Sequence, residues 1–354
     1  AAMSEVRQAD AISARYSHAR PRSQAQFDRD RQVMPGGVKG AYYHTPYPLT
    51  MDRGDGCYVW DVDGHRYVDF ANHHTAQILG HNHPAVTEAM ATQLRRGLAL
   101  GASMGNEVEL AEVMCGRVKS LARVRFCNSG TEATLHAIRL ARGFTGRPKI
   151  AKFEGGYHGS HDAVEISVAP SLDEAGPADA PHAVPQVRGI APHAVDEVVI
   201  LPYDNESSVE RLVSAHRQEL ACILLDPKAG VLPQRADFMR FVEQTARRCD
   251  VPLILDEIVG FRVGTGGIQE QIGITPDLTT YGKIIGGGLP VGAFGGRAEL
   301  MDLLDGTQGP TGFFQSGTHS GHPLVMAAGL ATLSQLTPAA FRHMNELTEH
   351  LCDG

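Results

Sequence analysis

The feature that most constrains this chain is a pair of motifs, an apolar run that ends in acids and a lysine set among glycines. Residues 253–257 read Leu-Ile-Leu-Asp-Glu, which is typical of a buried parallel strand that ends at Asp256. Lys283 follows within Gly282-Lys283-Ile284-Ile285-Gly286-Gly287-Gly288. Because ligands of α/β folds bind outside the carboxyl ends of parallel strands, we expect the acid and the lysine to meet in one crevice.

A lysine in such a crevice has a definite chemistry. Loss of water disfavours its charged form and lowers its pKa, which leaves an amine able to attack a carbonyl. This suits a Schiff base to pyridoxal 5'-phosphate (PLP), with Asp256 paired to the pyridinium nitrogen of that cofactor. An unremarkable strand-end acid and an unrelated lysine are the alternative interpretation.

Composition narrows the class of protein. The 354 residues suffice for two domains, and the net charge of −8 gives no electrostatic reason to bind nucleic acid or an anionic membrane. No apolar run approaches the length of a membrane span, and Ala1-Ala2 before Met3 look like a cloning scar. The six cysteines have no CxxC spacing, so we expect reduced thiols in a cytoplasmic protein.

Short apolar runs alternate with helical spacing, which predicts an α/β fold with a mostly parallel, doubly wound sheet. Strands are predicted at 124–127, 150–153, 198–201, 222–225 and 253–256, with a strand pair over 289–296. Ahead of them, residues 4–33 favour one or two helices. A hairpin is expected around Asp63-Gly64.

Two turns add to the candidate site. Strand 124–127 runs into Asn128-Ser129-Gly130-Thr131 and then a helix, a geometry that presents unpaired backbone N–H groups to an anion. Plain helix capping by Ser129 is the alternative. Tyr157, in Gly156-Tyr157-His158-Gly159, could lie flat on a cofactor ring or serve only in packing, and His158 alone favours a structural histidine.

Other cofactors fit the sequence less well. Lys283 lacks the spacing and the following Ser or Thr of a P-loop, and no GxGxxG follows the first strand. His73-His74, and His81 with His83, lack a supporting acid cluster, so no metal site is predicted.

Taken together and in this order, the motifs resemble those of the class III, fold-type I PLP-dependent aminotransferases, and most of all the glutamate-1-semialdehyde 2,1-aminomutase group. The resemblance runs from about residue 30 to the end. Besides those already quoted, the motifs that carry it are Glu132-Ala133, residues 137–143, Ile258, Pro276-Asp277-Leu278, Leu289-Pro290-Val291-Gly292 and Gly317-Thr318-His319-Ser320-Gly321.

The resemblance implies roles at the matched positions. Lys283 would form the Schiff base and shuttle a proton, and Asp256 would keep the pyridine nitrogen protonated. Ile258 and Tyr157 would pack on the two faces of the ring, with His158 also at the cofactor. The phosphate would be held by Ser129, Gly130 and Thr131, and by Thr318 of a neighbouring subunit, which implies a homodimer with shared sites.

It also implies a domain organisation. Residues 66–310 would form the large PLP-binding domain, 1–65 an N-terminal part of the small domain, and 311–354 the start of a C-terminal small domain that we expect to be incomplete. The chain departs from the family at Asp226-Pro227-Lys228 and at Val38-Lys39-Gly40. Lys39 could pair with a substrate carboxylate, as a basic residue does in similar β-amino acid aminotransferases, and Tyr157 could line the substrate pocket.

The activity implied is transfer of an amino group, either within glutamate-1-semialdehyde or between an amino acid and an oxo acid. Transamination of β- or ω-amino acids, racemisation on the same scaffold, and a non-catalytic role remain open alternatives.

Overall fold

The computed structural model describes residues 2–40, 44–227 and 235–354. The chain divides into two compact units, Ala1–Pro84 and Ala85–Gly354.

The first unit joins helices to a small sheet. Its elements are α1 (Ala2–Ala19), α2 (Pro21–Val33), β1 (Met51–Asp55), β2 (Tyr58–Asp61), β3 (Arg66–Val68) and the short turn α3 (Asn72–Thr75). The strands pair antiparallel in the order β1-β2-β3, so the predicted hairpin around Asp63-Gly64 is present. Asp63 ties the hairpin to α2, because its carboxylate accepts hydrogen bonds from the backbone N–H of Arg22 (2.8 Å) and Ser23 (3.0 Å).

The second unit alternates strands and helices. Its elements in order are α4 (Pro84–Arg96), α5 (Gly105–Arg117), β4 (Arg123–Cys127), α6 (Gly130–Thr145), β5 (Lys149–Phe153), α7 (Pro192–Asp196), β6 (Val198–Leu201), α8 (Glu206–His216), β7 (Leu220–Leu225), α9 (Ala236–Arg248), β8 (Leu253–Asp256), α10 (Gly267–Ile272), β9 (Leu278–Gly282), β10 (Gly292–Gly296), α11 (Ala298–Met301), α12 (Pro323–Gln335) and α13 (Pro338–Asp353).

Seven strands of this unit form one sheet in the order β4-β10-β9-β8-β7-β5-β6. All the pairings from β9 to β6 are parallel, and only β10 runs antiparallel to its two neighbours. The predicted mostly parallel sheet is therefore confirmed. The predicted strand pair over 289–296 is wrong: one strand forms, because Gly287 and Gly288 turn the chain at positive φ and Pro290 has no N–H to donate.

Helices cover the sheet on both faces. In β7, Ile223 and Leu225 face one core with residues of α8, α9 and α10, whereas Cys222 and Leu224 face a second core with residues of α6. This explains why the strand is apolar throughout rather than alternating. It also leaves the carboxyl ends of the parallel strands as the edge where polar loops can gather.

Among the described helices, none is long and apolar enough to cross a membrane alone. Only α12 and α13 taken together, with a 72° bend between them, reach the required length and composition.

Candidate active site

Asp256 lies where β8 ends, and it is held from three directions. Its Oδ2 lies 2.8 Å from Nδ1 of the buried His158. Its Oδ1 accepts hydrogen bonds from the backbone N–H of Ile258 (3.1 Å) and from Oγ1 of Thr280 (3.2 Å) on the adjacent strand β9. With 6% of the residue exposed, the carboxylate is nearly buried and is fixed in orientation by these hydrogen bonds.

The turn from β4 into α6 is a well-formed helix start. Ser129 is the N-cap, and its side chain accepts a hydrogen bond from the backbone N–H of Glu132 (3.1 Å). Glu132 reaches back to accept from the backbone N–H of Asn128 (2.9 Å). Gly130 and Thr131 occupy the first turn, where an α-helix leaves its N–H groups without intrahelical partners and carries partial positive charge. The capping role and an anion-binding role are thus compatible in one turn.

Ile258 joins this turn to the lysine. A Cβ atom added to Gly130 would lie 2.6 Å from Cδ1 of Ile258, and one added to Gly282 would lie 3.4 Å from Cγ2 of the same side chain. Ile258 therefore sits between the start of α6 and the residue before Lys283. A larger residue at 130 would displace the end of the Ile258 side chain.

The loop that carries Tyr157 and His158 packs on the first turns of α6. Oγ1 of Thr134 donates to the backbone oxygen of His158 (2.7 Å), and Oγ1 of Thr131 accepts from the backbone N–H of Ser160 (3.1 Å). Gly159 has φ of +100° and comes so close to Thr131 that a Cβ would lie 2.6 Å from its hydroxyl oxygen. These contacts place the imidazole of His158 beside Asp256.

Lys283 follows β9 with φ of +53°, a left-handed conformation that non-glycine residues rarely adopt. Burial lowers the pKa of its ammonium group, and the nearby Arg262 acts in the same direction. Asp256 and Asp226 oppose this shift. The net direction is the one the sequence predicts, and the influence of Asp256 means that the two groups share one neighbourhood.

The structure thus brings together seven of the predicted site residues, named here the strand-end cluster: Ser129, Gly130, Thr131, His158, Asp256, Ile258 and Lys283. Each lies at or after the carboxyl end of β8 or of a strand that runs parallel to β8. Tyr157 adjoins the cluster and is 59% exposed.

The other two predicted residues stand differently. Thr318 is exposed, and the preceding Gly317 is so placed that a Cβ would lie 3.1 Å from Nδ2 of Asn128, next to the cluster. Lys39 belongs to the first unit, where burial and, after it, the charge of Lys39 lower the pKa of His73.

Two residues of the site were not predicted from the sequence. Thr280 binds Asp256 because the register of β8 and β9 sets the two residues side by side, and one sequence does not reveal strand register. Asp226, noted only as a departure from the family, acts on the charge of Lys283. Lys228, the other part of that departure, lies outside the described residues.

Comparison with known proteins gives a consistent result. Residues 40–353 match the family model for aminotransferase class-III. A glutamate-1-semialdehyde 2,1-aminomutase from Methanocaldococcus jannaschii is 38% identical over 339 residues, which cover 94% of this chain and 77% of that protein.

Two solved structures are similar over most of the chain. An omega-transaminase from Sphaerobacter thermophilus superposes with a TM-score of 0.87 at 43% identity, covering 90% of this chain and 73% of the other. A transaminase with PLP bound gives a TM-score of 0.86 at 36% identity, with coverages of 93% and 77%.

Proposed function

Because the chain belongs to the class III aminotransferase family, we propose that the strand-end cluster is the place where this enzyme binds PLP and transfers amino groups. Family membership confirms the predicted fold-type I architecture, the PLP dependence and the amino-group chemistry. The observation that carries the assignment of the site is the convergence of Lys283, Asp256 and the first turn of α6, three segments far apart in the sequence.

The groups present fit PLP at each of its three functional ends. The amine of Lys283 has a lowered pKa and suits the aldehyde. The oriented carboxylate of Asp256 suits the ring nitrogen. The first turn of α6, with the hydroxyl groups of Ser129 and Thr131, suits the phosphate dianion. The flat ring between them would contact the side chain of Ile258, with Tyr157 and His158 close to the cofactor as well.

When bound, PLP supplies an electron-accepting ring that stabilises negative charge on the substrate carbon bearing the amino group. The protein must then hold one proton and move another. Asp256 keeps a proton on the ring nitrogen, because His158 and Thr280 fix its carboxylate and its surroundings exclude most water. Lys283 moves the other, since burial lowers the pKa of Nζ and so favours its neutral form, the form that accepts a proton from carbon.

Within the family, transfer between an amino acid and an oxo acid is the reaction we favour. Support comes from the 43% identity to an omega-transaminase. Lys39, which replaces the residue expected of an aminomutase, would pair with the substrate carboxylate, and Tyr157 would line the pocket. Internal transfer within glutamate-1-semialdehyde is the second candidate, supported by the 38% identity to an aminomutase.

We further propose that the working form is a cytoplasmic homodimer, with Thr318 of each subunit completing the phosphate site of the other. The exposure of Tyr157 and of Phe314, 82% exposed, supports a covering partner. The boundaries 1–65, 66–310 and 311–354 remain our proposal for the domains.

A panel of amino donors and acceptors tests the reaction type. Purified protein loaded with PLP is offered α-, β- and ω-amino acids with and without an oxo acid, and product is followed by chromatography. Transamination predicts turnover only when both partners are present. Turnover of glutamate-1-semialdehyde alone would favour the aminomutase, and retention of the amino group with inversion of configuration would indicate a racemase.

Lys39→Ala separates the role of Lys39 from the chemistry. If Lys39 pairs with the substrate carboxylate, the KM for amino acids should rise while kcat changes little, and amine donors without a carboxylate should be unaffected. This role is refuted if the variant and the parent have the same KM for amino acid donors as well as for amine donors without a carboxylate.

A further inference from the structure

Glu257, the residue after Asp256, is turned away from the proposed PLP site. Successive side chains of an extended segment point to opposite faces of the sheet, and the backbone N–H of Glu257 continues the pairing with β9 by donating to the oxygen of Thr280 (2.9 Å). Asp256 meets His158 on one face, whereas the carboxyl group of Glu257 lies on the other with none of its surface exposed. The two acids are therefore consecutive yet lie in separate environments.

The carboxyl group of Glu257 accepts three hydrogen bonds from residues at the start of α10. Its Oε2 accepts from the backbone N–H of Ile268 (2.9 Å). Its Oε1 accepts from the backbone N–H (3.0 Å) and the side-chain Nε2 (2.9 Å) of Gln269. Three donors directed at one buried carboxyl group form a rigid and specific attachment.

Gly267 makes this attachment possible. It has φ of +74°, and a Cβ atom at this position would lie 2.1 Å from Oε2 of Glu257. Any side chain there would both strain the backbone and displace the carboxyl group. The segment that carries Asp256 is thus fastened to α10 by a fit that only glycine allows.

The attachment continues outward to the surface. Oγ of Ser120 donates to Oε1 of Gln269, and both residues line a surface cavity of about 230 Å³. The ionisable groups that face Glu257 are Asp256 on its own segment and Tyr281 on β9, with Cys115 of α5 beyond Tyr281.

We propose that Glu257 is a positioning residue that fastens the segment 256–258 to α10 from the face opposite the cofactor, and thereby holds Asp256 and Ile258 where PLP requires them. This inference rests on the proposed PLP site. A displacement of the segment would move the carboxylate of Asp256 and the side chain of Ile258 together. We therefore expect the affinity for PLP to fall first.

The test compares Glu257→Gln with Glu243→Gln. Glutamine at 257 keeps the volume but turns one acceptor into a donor that faces a backbone N–H. Glu243 is the control, because it is also buried and accepts from the backbone N–H of Thr275 (2.8 Å), just after α10. Its other partner is Nη2 of Arg247 (2.8 Å), and no hydrogen bond among the described residues joins it to the segment 256–258. For each protein, the dissociation constant of PLP is measured by fluorescence quenching, and protection of amides 256–258 by hydrogen exchange.

We expect Glu257→Gln to weaken PLP binding at least tenfold and to reduce the protection of amides 256–258, while Glu243→Gln stays within twofold of the parent. Gly267→Ala, which leaves Glu257 in place but displaces its carboxyl group, should reproduce the effect and serves if Glu257→Gln fails to fold. Equal PLP affinity in the parent and in both test variants, or equal loss in the Glu243 control, would overturn the proposal. A parent protein that binds no PLP would instead refute the site itself, and this inference with it.

Discussion

At the scale of single residues, Lys283 combines two unfavourable features. Its backbone lies at φ of +53°, and its ammonium group is partly withdrawn from water, which lowers its pKa. Left-handed backbone in a non-glycine residue costs on the order of 1–2 kcal/mol. A conformation of this kind persists only where the surroundings enforce it, and the residue that follows, Ile284, is buried in the fold. We interpret the cost as the consequence of aiming the amine into the crevice, where burial disfavours its charged form.

Asp256 gives the first prediction at this scale. Asp256→Asn keeps the shape and the contact with Thr280 but removes the charge that holds a proton on the ring nitrogen. We expect kcat to fall on the order of 10²–10³-fold, the range seen when one preorganised electrostatic group is lost. Steady-state kinetics at saturating PLP measures the loss, and a melting temperature close to that of the parent excludes unfolding as its cause. Near-parental kcat would rule out this role for Asp256.

At the scale of elements, the turn from β4 into α6 depends on strand β10, which does not itself carry a predicted site residue. In β10, Gly292 pairs with Cys127 at the end of β4 and with Gly282 at the end of β9. A Cβ at 292 would lie 1.9 Å from the backbone oxygen of Ser129. The glycine therefore allows β10 to pass directly beneath the start of α6.

Gly292→Ala is expected to push the turn at Ser129 out of place. Because the obstruction is backbone rather than a flexible side chain, we expect a loss of roughly 1–3 kcal/mol in the free energy of unfolding, together with weaker PLP binding. Urea unfolding and PLP titration measure the two effects.

Gly116→Ala is the matched control, since Gly116 lies in helix α5 with open space around its Cβ position. It should gain roughly 0.5–1 kcal/mol and leave PLP binding unchanged. Equal stability of the Gly292→Ala protein and the parent would contradict the crowding inferred at Ser129.

The elements also show which features of the fold and the site can be predicted from a single sequence. The strand at 253–256 and the turn at 128–131 could be predicted because apolar runs and capping residues are local patterns in the sequence. The role of Thr280, which donates a hydrogen bond to Asp256, could not be predicted, because it depends on the register between two strands. The hydrogen bonds from α10 to Glu257 were not predicted either, because two of the three donors are the backbone N–H groups of Ile268 and Gln269, which residue type does not reveal, and the third, Nε2 of Gln269, meets Glu257 only through the fold.

At the scale of the whole molecule, the buried Glu257, on the face of the sheet opposite the proposed PLP site, makes stability depend on pH. Burial raises the pKa of Glu257 from 4.5 to about 7, despite three hydrogen bonds that favour its ionised form. The fold therefore binds this proton more tightly than the unfolded chain does. Its contribution to stability is complete below about pH 4.5 and is lost as the pH rises through about 7.

The resulting prediction concerns the slope of stability against pH. The free energy of unfolding of the parent should fall between about pH 4.5 and about pH 7, relative to that of Glu257→Gln, by an amount on the order of 3 kcal/mol. Burial of His161, which lowers its pKa to about 4, acts in the opposite direction but equally in both proteins, so it cancels in the difference. Urea unfolding at several pH values, with Glu243→Gln as control, measures the difference. Parallel curves for parent and Glu257→Gln would contradict a buried, titrating Glu257.

The most direct test of the central claim is to trap the cofactor on its lysine. Protein loaded with PLP is reduced with borohydride, digested and mapped by mass spectrometry, alongside a Lys283→Ala variant. The account predicts a stable adduct on the peptide that contains Lys283, and none in the variant, whose turnover should drop at least roughly 10³-fold. An adduct on another lysine, or turnover that survives in Lys283→Ala, would contradict it.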